Sequence, residues 1–426
     1  MTAELVVGDQ LELVTGAAAA GGACVARAPD GRVVFVRHTL PGEHVLARVT
    51  SATTSFLRAD AVQVLSASVD RVEPPCPYAG PGRCGGCDWQ HVALGRQREL
   101  KAGLVAEQLR RIAKVERAVV VEQVPGAPDG LGWRTRVTFA VSPDGRPGLR
   151  RHRSHDLQPV ERCLIAAPGV QHVGAERLRW YAAASVEVAS TADGSQRVVD
   201  VLRGGRGRPR VPAVDAGVVV DGRPQAVPHG LRHAVLGRHF EVAAGGFWQV
   251  HVGAATALAQ AVLGALEPQP GEAVVDLYAG VGLFAALLAE AVGETGSVLA
   301  VEADGRACAD AARNTADLPQ VRIRTAEVEP GLLHRLASPG PEGQPPPDLI
   351  VLDPPRAGAG PAVTAALAAL RPRRIAYVSC EPASFARDAK VLLDAGWTMP
   401  IMRAFDLYPM TEHVELVAVF EPPASG

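Results

Sequence analysis

Short apolar runs separated by turn residues open the chain. Positions 11–14, 33–36 and 45–49 carry them, and Gly21-Gly22, Asp30-Gly31 and Pro41-Gly42 punctuate them. Runs of that length broken by such residues predict strands, and Asp-Gly is a favourable hairpin turn. Residues 1–66 are therefore expected to form a small β-barrel, an architecture that binds single-stranded nucleic acid in some proteins and not in others. The period then changes. From 94 to about 115, Leu100, Leu104, Leu109 and Ile112 recur on one side of a predicted helix. From about 239 onward, strands at 273–277, 298–301, 321–324, 349–352 and 375–378 alternate with helices such as 283–291 and 306–314. Alternation of this kind predicts a parallel sheet covered by helices on both faces, an α/β fold. The proline-rich stretch 338–348 reads as a surface loop between two of these elements.

A chain of 426 residues exceeds one ordinary domain. The patterning divides it into a barrel over 1–66, a mixed cysteine-rich central domain over 67–238 and a Rossmann-like domain over 239–426. With 47% hydrophobic residues, sizeable cores are possible and global disorder is excluded. Forty-three Lys and Arg against 45 Asp and Glu leave no overall basic footprint, so contact with nucleic acid has to be local. Two Arg groups qualify: Arg134, Arg136, Arg146, Arg150, Arg151 and Arg153 with His152 and His155, then Arg203, Arg206, Arg208 and Arg210. Either group serves equally as a solvated loop face unless the catalytic part asks for RNA. Glu4 and Asp9 interrupt the first apolar stretch, and no apolar run approaches the roughly 20 residues of a membrane helix. The expectation is a cytoplasmic protein with no membrane partner. In that setting the seven cysteines point to metal binding or catalysis rather than disulfides.

Open α/β sheets bind ligands at the carboxyl ends of their strands. There the chain carries Asp276-Leu277-Tyr278-Ala279-Gly280-Val281-Gly282, a strand running into a tight Gly-x-Gly turn. The next strand ends in Glu302, placed as an acid that accepts from ribose hydroxyls. Ala285 stands where a dinucleotide fingerprint has its third glycine, which leans against a dinucleotide enzyme without excluding one. The fourth strand delivers Asp353-Pro354-Pro355-Arg356, whose prolines stop the ladder and hold Asp353 at the sheet edge. The fifth delivers Ser379-Cys380-Glu381-Pro382, which sets Cys380 on the same rim. A lone cysteine is more often a small buried hydrophobe, and this position is what raises its interest. Late in the chain, Glu412-His413-Val414-Glu415 supplies acids to that rim.

These motifs, with Phe247-Trp248-Gln249-Val250, resemble those of the RNA (uracil-5-)-methyltransferases over nearly the whole chain. Residues 21–27 resemble the family's TRAM barrel. The resemblance implies S-adenosylmethionine as methyl donor, with Gln249, Tyr278, Gly280, Gly282, Glu302, Glu327 and Asp353 in its pocket. It implies Cys380 as nucleophile and Glu415 as base. Carbon 5 of uracil is too weak a nucleophile to take a methyl unaided, and thiolate addition at carbon 6 turns it into an enolate carbon. A base inside a folded RNA must first be flipped out, and an aromatic such as Phe247 can stack against it. Two departures matter. Glu381 replaces the family's usual Asn, and if it pointed inward its charge would raise the Cys380 thiol. No motif for the second cysteine of cytosine-specific enzymes is visible, which favours uracil.

Cys76, Cys84 and Cys87 follow a C-x7-C-x2-C pattern, with Cys163 distant. Spacing alone leaves zinc and an iron–sulfur cluster both open. The resemblance points to a [4Fe–4S] cluster, which the family's ribosomal-RNA members carry and its tRNA members lack. The implied substrate is thus uridine in 23S rRNA, with tRNA the rival. A noncatalytic RNA-binding protein that keeps the fold is a second alternative, and a dinucleotide oxidoreductase a third. Nothing in the sequence requires more than a monomer.

Overall fold

A computed structural model describes residues 5–205, 207–337 and 345–424. Arg206 and positions 338–344 of the expected proline-rich loop lie outside the described residues. Near the N-terminus six strands form an open half-barrel in the order Gln10–Val14, His44–Ala52, Phe56–Ser66, Val33–Arg37, Ala23–Arg27, Ala18–Ala19. Alternate residues such as Leu11, Leu13, Val34, Val36, Val45, Ala47 and Val49 turn inward to its core. The Asp30-Gly31 hairpin forms as expected: Arg27 pairs with Val33, Gly31 takes φ +86°, and the Asp30 carboxylate accepts from the Arg32 N–H at 3.0 Å. A seven-stranded sheet spanning Arg136–Val141 to Arg223–Ala226 follows, closed over Val137, Phe139, Trp180, Val186, Val188 and Val199.

The third sheet has eight strands in the order Val321–Thr325, Ser297–Glu302, Ala273–Leu277, Leu349–Leu352, Arg374–Ser379, Glu415–Glu421, Thr398–Asp406, Val121–Gln123. Its first five strands are parallel, and Glu415–Glu421 runs antiparallel between two neighbours. Strands Ala273–Leu277 and Leu349–Leu352 are buried along their whole length, as a sheet covered on both faces requires. One face packs on helices Ala254–Leu266 and Leu283–Val292, the other on Pro361–Leu370 and Pro382–Asp394. The chain leaves the centre leftward after Ala273–Leu277 and resumes rightward at Leu349–Leu352, so a switch point lies between them. Among the described residues no helix is long and apolar enough to cross a membrane.

The central segment 67–238 does not stay together. Its strand Val121–Gln123 joins the edge of the third sheet, pairing in parallel with Thr398–Asp406. Helix Leu94–Gln108 and the π-turn Leu109–Ala113 pack Val105, Leu109 and Ala113 into the core that holds Phe385, Leu392 and Ala404. The helix expected to reach residue 115 stops because Lys114 takes φ +61°. Its buried face is also more polar than the apolar spacing indicated, because Gln97 and Lys101 are inside while Leu104 is only half-buried.

Both polar residues serve one loop. The Lys101 ammonium donates to Asp406 at 2.5 Å and to the Tyr408 carbonyl at 3.0 Å. Gln97 accepts from the Met410 N–H at 2.8 Å, and the Met410 carbonyl accepts from Trp89 N–H at 2.9 Å. Two residues on, Glu412 accepts from the Gly21 and Gly22 N–H groups of the half-barrel at 2.5 and 3.1 Å. Gly22 has φ +68°, and a Cβ there would meet Asp88 Cβ at 2.5 Å, so that nest admits only glycine. Breaking a buried ion pair by removing one partner strands the other charge, at about 3–5 kcal/mol. Lys101→Met is expected to lower unfolding free energy in urea by about that much, and adding Asp406→Leu to recover much of it. Equal stability of Lys101→Met and the parent would show that the pair does not hold the loop.

Candidate active site

The loop after strand Ala273–Leu277 is held from below and from the side. Asp276 is fully buried, and its Oδ2 accepts from the Ala285 N–H at 2.8 Å in the first turn of helix Leu283–Val292. Its Oδ1 has no partner, and burial, then Asp353 and Glu302, raise its pKa well above the carboxylate range. Tyr278 takes φ +61°, a conformation rarely adopted by a bulky side chain, and Gly280 and Gly282 follow at +55° and +85°. Strain of that kind concentrates at ligand sites. Glu302 accepts from the Gly280 N–H at 2.9 Å and the Asp304 N–H at 2.8 Å. Both its oxygens thus brace the loop, and each keeps a lone pair for a ribose hydroxyl. Glu327 is exposed beyond strand Val321–Thr325, close enough to Tyr278 that it helps burial and Asp388 raise the phenol to about 12.

Across the switch point strand Leu349–Leu352 ends just before Asp353-Pro354-Pro355, and burial lifts the Asp353 carboxyl to about 7. Gln249 makes a long contact to it, Nε2 to Oδ2 at 3.5 Å. Cys380, Glu415 and Asp353 converge. Burial, then the charges of Glu415 and Asp353, push the Cys380 thiol up to about 12, and Arg356 pulls it down. Glu415 is 2% exposed, and burial followed by Asp353 holds its carboxyl well above the usual range. Tyr408 donates its hydroxyl to Glu415 at 3.2 Å and stands edge-on to Trp133. Neither Tyr408 nor Arg356 has a role that motif or periodicity assigns. For Tyr408, its place in the loop leading to Glu415 is the only sequence signal.

Glu381 does not point inward. Its Oε2 faces the Arg356 guanidinium at 3.5 Å, and Arg356 also reaches His413 Nδ1 at 3.3 Å. The carboxylates acting on the thiol are Glu415 and Asp353 instead. The condition under which Glu381 would burden the nucleophile is therefore not met. Phe247 is 66% exposed, two residues before Gln249.

The four cysteines Cys76, Cys84, Cys87 and Cys163 are all free thiols lining one cavity of 870 Å³, with Arg134, Arg150, Arg151 and Arg153 in the same wall. Burial drives the Cys87 thiol far up, and Cys163, Cys84 and Cys76 each add to that shift. Among the described residues, no three His, Cys, Asp or Glu side chains are placed to hold a single metal ion. Several of the other arginines are already spoken for. Arg136 pairs with Glu187, Arg146 with Asp144 and Arg203 with Asp221.

Comparison with known proteins places these features. The family model described as TRAM domain matches residues 10–62, and that described as tRNA (Uracil-5-)-methyltransferase matches residues 346–421. An RNA methyltransferase of Streptomyces coelicolor is 48% identical, covering 99% of this chain and 94% of its own. The 23S rRNA (uracil(1939)-C(5))-methyltransferase of Alkalilimnicola ehrlichii is 32% identical over 93% of each. In fold, the chain is similar to the Pyrococcus abyssi tRNA (uracil-54, C5)-methyltransferase solved with S-adenosyl-L-homocysteine. The TM-score is 0.70 at 22% identity, covering 96% of this chain and 99% of that one.

The electrostatics predict a thiol that is unreactive at rest. Peptide-mapped alkylation of Cys380 by iodoacetamide is expected to stay slow through neutral pH and to rise only toward pH 12. Glu415→Gln should move that rise to lower pH, since the ionised carboxylate no longer opposes the thiolate. A midpoint near the ordinary thiol value of about 8.5 in the parent would contradict the arrangement.

Proposed function

Because the chain belongs to the RNA (uracil-5-)-methyltransferase family, enzymes that depend on S-adenosylmethionine, we propose that it methylates carbon 5 of a uridine in 23S rRNA through Cys380 and Glu415. The observation that carries this reading is the convergence of Cys380, Glu415 and Asp353 at the strand ends, beside Gln249 and the Gly280–Gly282 turn. S-adenosylmethionine supplies an electrophilic methyl on a positively charged sulfur. Gln249, Tyr278, Gly280, Gly282, Glu302 and Asp353 surround the place for it, with Glu327 at the rim.

The chemistry divides among the chain's own groups. Cys380, once deprotonated, adds to carbon 6 of the flipped uracil and makes carbon 5 nucleophilic enough to accept the methyl. Arg356 is the cation that favours the thiolate. Glu415 then takes the proton from carbon 5, and Cys380 departs as carbon 5 and carbon 6 regain their double bond. For that step Glu415 has to be ionised. Burial and Asp353 raise its carboxyl in the free protein, and positive charge brought beside these carboxyls favours their ionised forms. Tyr408, donating to Glu415, stabilises the same carboxylate.

At the four cysteines, which line one large cavity, an iron–sulfur group is favoured over zinc by the resemblance to the family's ribosomal-RNA members. Held by Cys76, Cys84, Cys87 and Cys163, such a group would cross-link residues 76–87 to residue 163 and shape the arginine wall around it. Ribosomal RNA is favoured over tRNA by these cysteines and by likeness to the Alkalilimnicola ehrlichii enzyme. The half-barrel, as a TRAM domain, adds RNA-binding surface.

Nucleoside mass spectrometry of a deletion strain should show 5-methyluridine lost from the large ribosomal RNA and restored by the parent gene but not by Cys380→Ala. Loss from tRNA alone would move the substrate, and loss from neither would remove the reading. Glu415→Gln is expected to slow turnover by about 10²–10⁴-fold and to leave methylated RNA joined to Cys380, visible on a denaturing gel. Protein purified without oxygen should carry iron and sulfide. Zinc in their place would contradict the cluster.

A further inference from the structure

A second polar cavity, of 460 Å³, adjoins the reaction centre and takes no part in the chemistry above. It lies where the turn at 191–196, the hairpin of Gly230–Val235 with Arg238–Ala243, and the first turn of helix Ala254–Leu266 meet. Thr191, His233, Trp248, Gln249, His251 and Thr256 line it. One wall is a rigid stacked pair, the His233 and Trp248 rings lying 4.6 Å apart and 18° from parallel. His251 is braced in turn by stacking on Trp133.

The lining is unfinished. His233 and His251 are 6% and 2% exposed, and the Nε2 atom of each has no partner. The Gly253 N–H donates to His251 Nδ1 at 3.0 Å, so the neutral ring carries its proton on Nε2, a donor with nothing to accept from it. Native interiors rarely leave such atoms unpaired, and two in one cavity point to a ligand that completes them. Burial pushes both rings to about 4, so they are uncharged at neutral pH, and the carboxylate and guanidinium in the described lining, Asp193 and Arg232, are of opposite sign. A phosphate would find no net positive charge there. A flat, uncharged ring with donors and acceptors on its edge would find partners.

Gln249 ties the cavity to the reaction. It lines the cavity and also touches Asp353 at 3.5 Å, and the exposed Phe247 precedes the Trp248 wall by one residue. The cavity thus lies one side chain away from the rim that carries Asp353. We propose that the cavity receives a second nucleobase of the substrate RNA, a near neighbour of the methylated uridine, whose edge pairs with His233 and His251. The proposal rests on the RNA-methylation reading. The cavity is thereby a specificity site: it selects the uridine by its neighbour as well as by its own ring.

The test uses the full chain and RNA hairpins carrying the methylated site, with single abasic nucleotides walked through the flanking positions. One abasic position is expected to raise KM about tenfold with kcat within about twofold, the size of effect that losing a hydrogen-bonded base produces. His251→Phe should raise KM for the intact hairpin by a similar factor and make that abasic position silent. Thr256→Val, a milder change on the helix side of the same lining, should do so in part and guards against a His251 variant that fails to fold. If every abasic effect is the same in the parent and in both variants, the cavity holds no base and the proposal falls, although methyl transfer by the parent stands. If the parent transfers no methyl to any hairpin, the functional reading fails and takes this proposal with it.

Discussion

The buried contact between Lys101 and Asp406 is the constraint on which the catalytic geometry depends. A lysine with no exposed side-chain surface is tolerated only because its ammonium is spent on a carboxylate and a carbonyl. Those two acceptors begin the segment that runs through Tyr408 to Glu415. The helix carrying Lys101 therefore sets where Glu415 lies, although it is some three hundred residues earlier in the chain. The same segment is gripped by Gln97, Trp89 and the Gly21-Gly22 nest, so contributions from three stretches of sequence meet on one loop.

That convergence separates what was legible in the sequence from what was not. The strands and helices of the third sheet follow from apolar runs of the right length, and the rim residues Gly280, Glu302, Asp353 and Cys380 follow from standing at strand ends. Rules of that kind are local. Lys101 is different, because a lone lysine among helical residues reads as a solvated one, and its partner is known only once the chain is folded. Val121–Gln123 is likewise too short to carry a period, and it becomes a strand only by finding the edge beside Thr398–Asp406. Glu381 shows the same limit from the other side. Its identity suggested a harmful charge, whereas its direction, toward Arg356, is set by the loop after Asp353.

Two cavities of the central region differ in lining. One collects the four thiols and several arginines. The other collects aromatic and imidazole rings and hydroxyls, with Asp193 and Arg232. Arg134 joins them: it lines the first, and its backbone bridges to His251 in the second.

The nest at Gly21-Gly22 bears on how far this protein is modular. Small barrels of this kind are commonly pictured as detachable grips, exchangeable between enzymes without disturbing the chemistry. Here the grip holds Glu412, three residues from Glu415, by two backbone N–H groups. A graft that supplied a different barrel would leave that carboxylate without its donors, three residues from Glu415. Exchange of the barrel therefore has to carry the double-glycine corner with it.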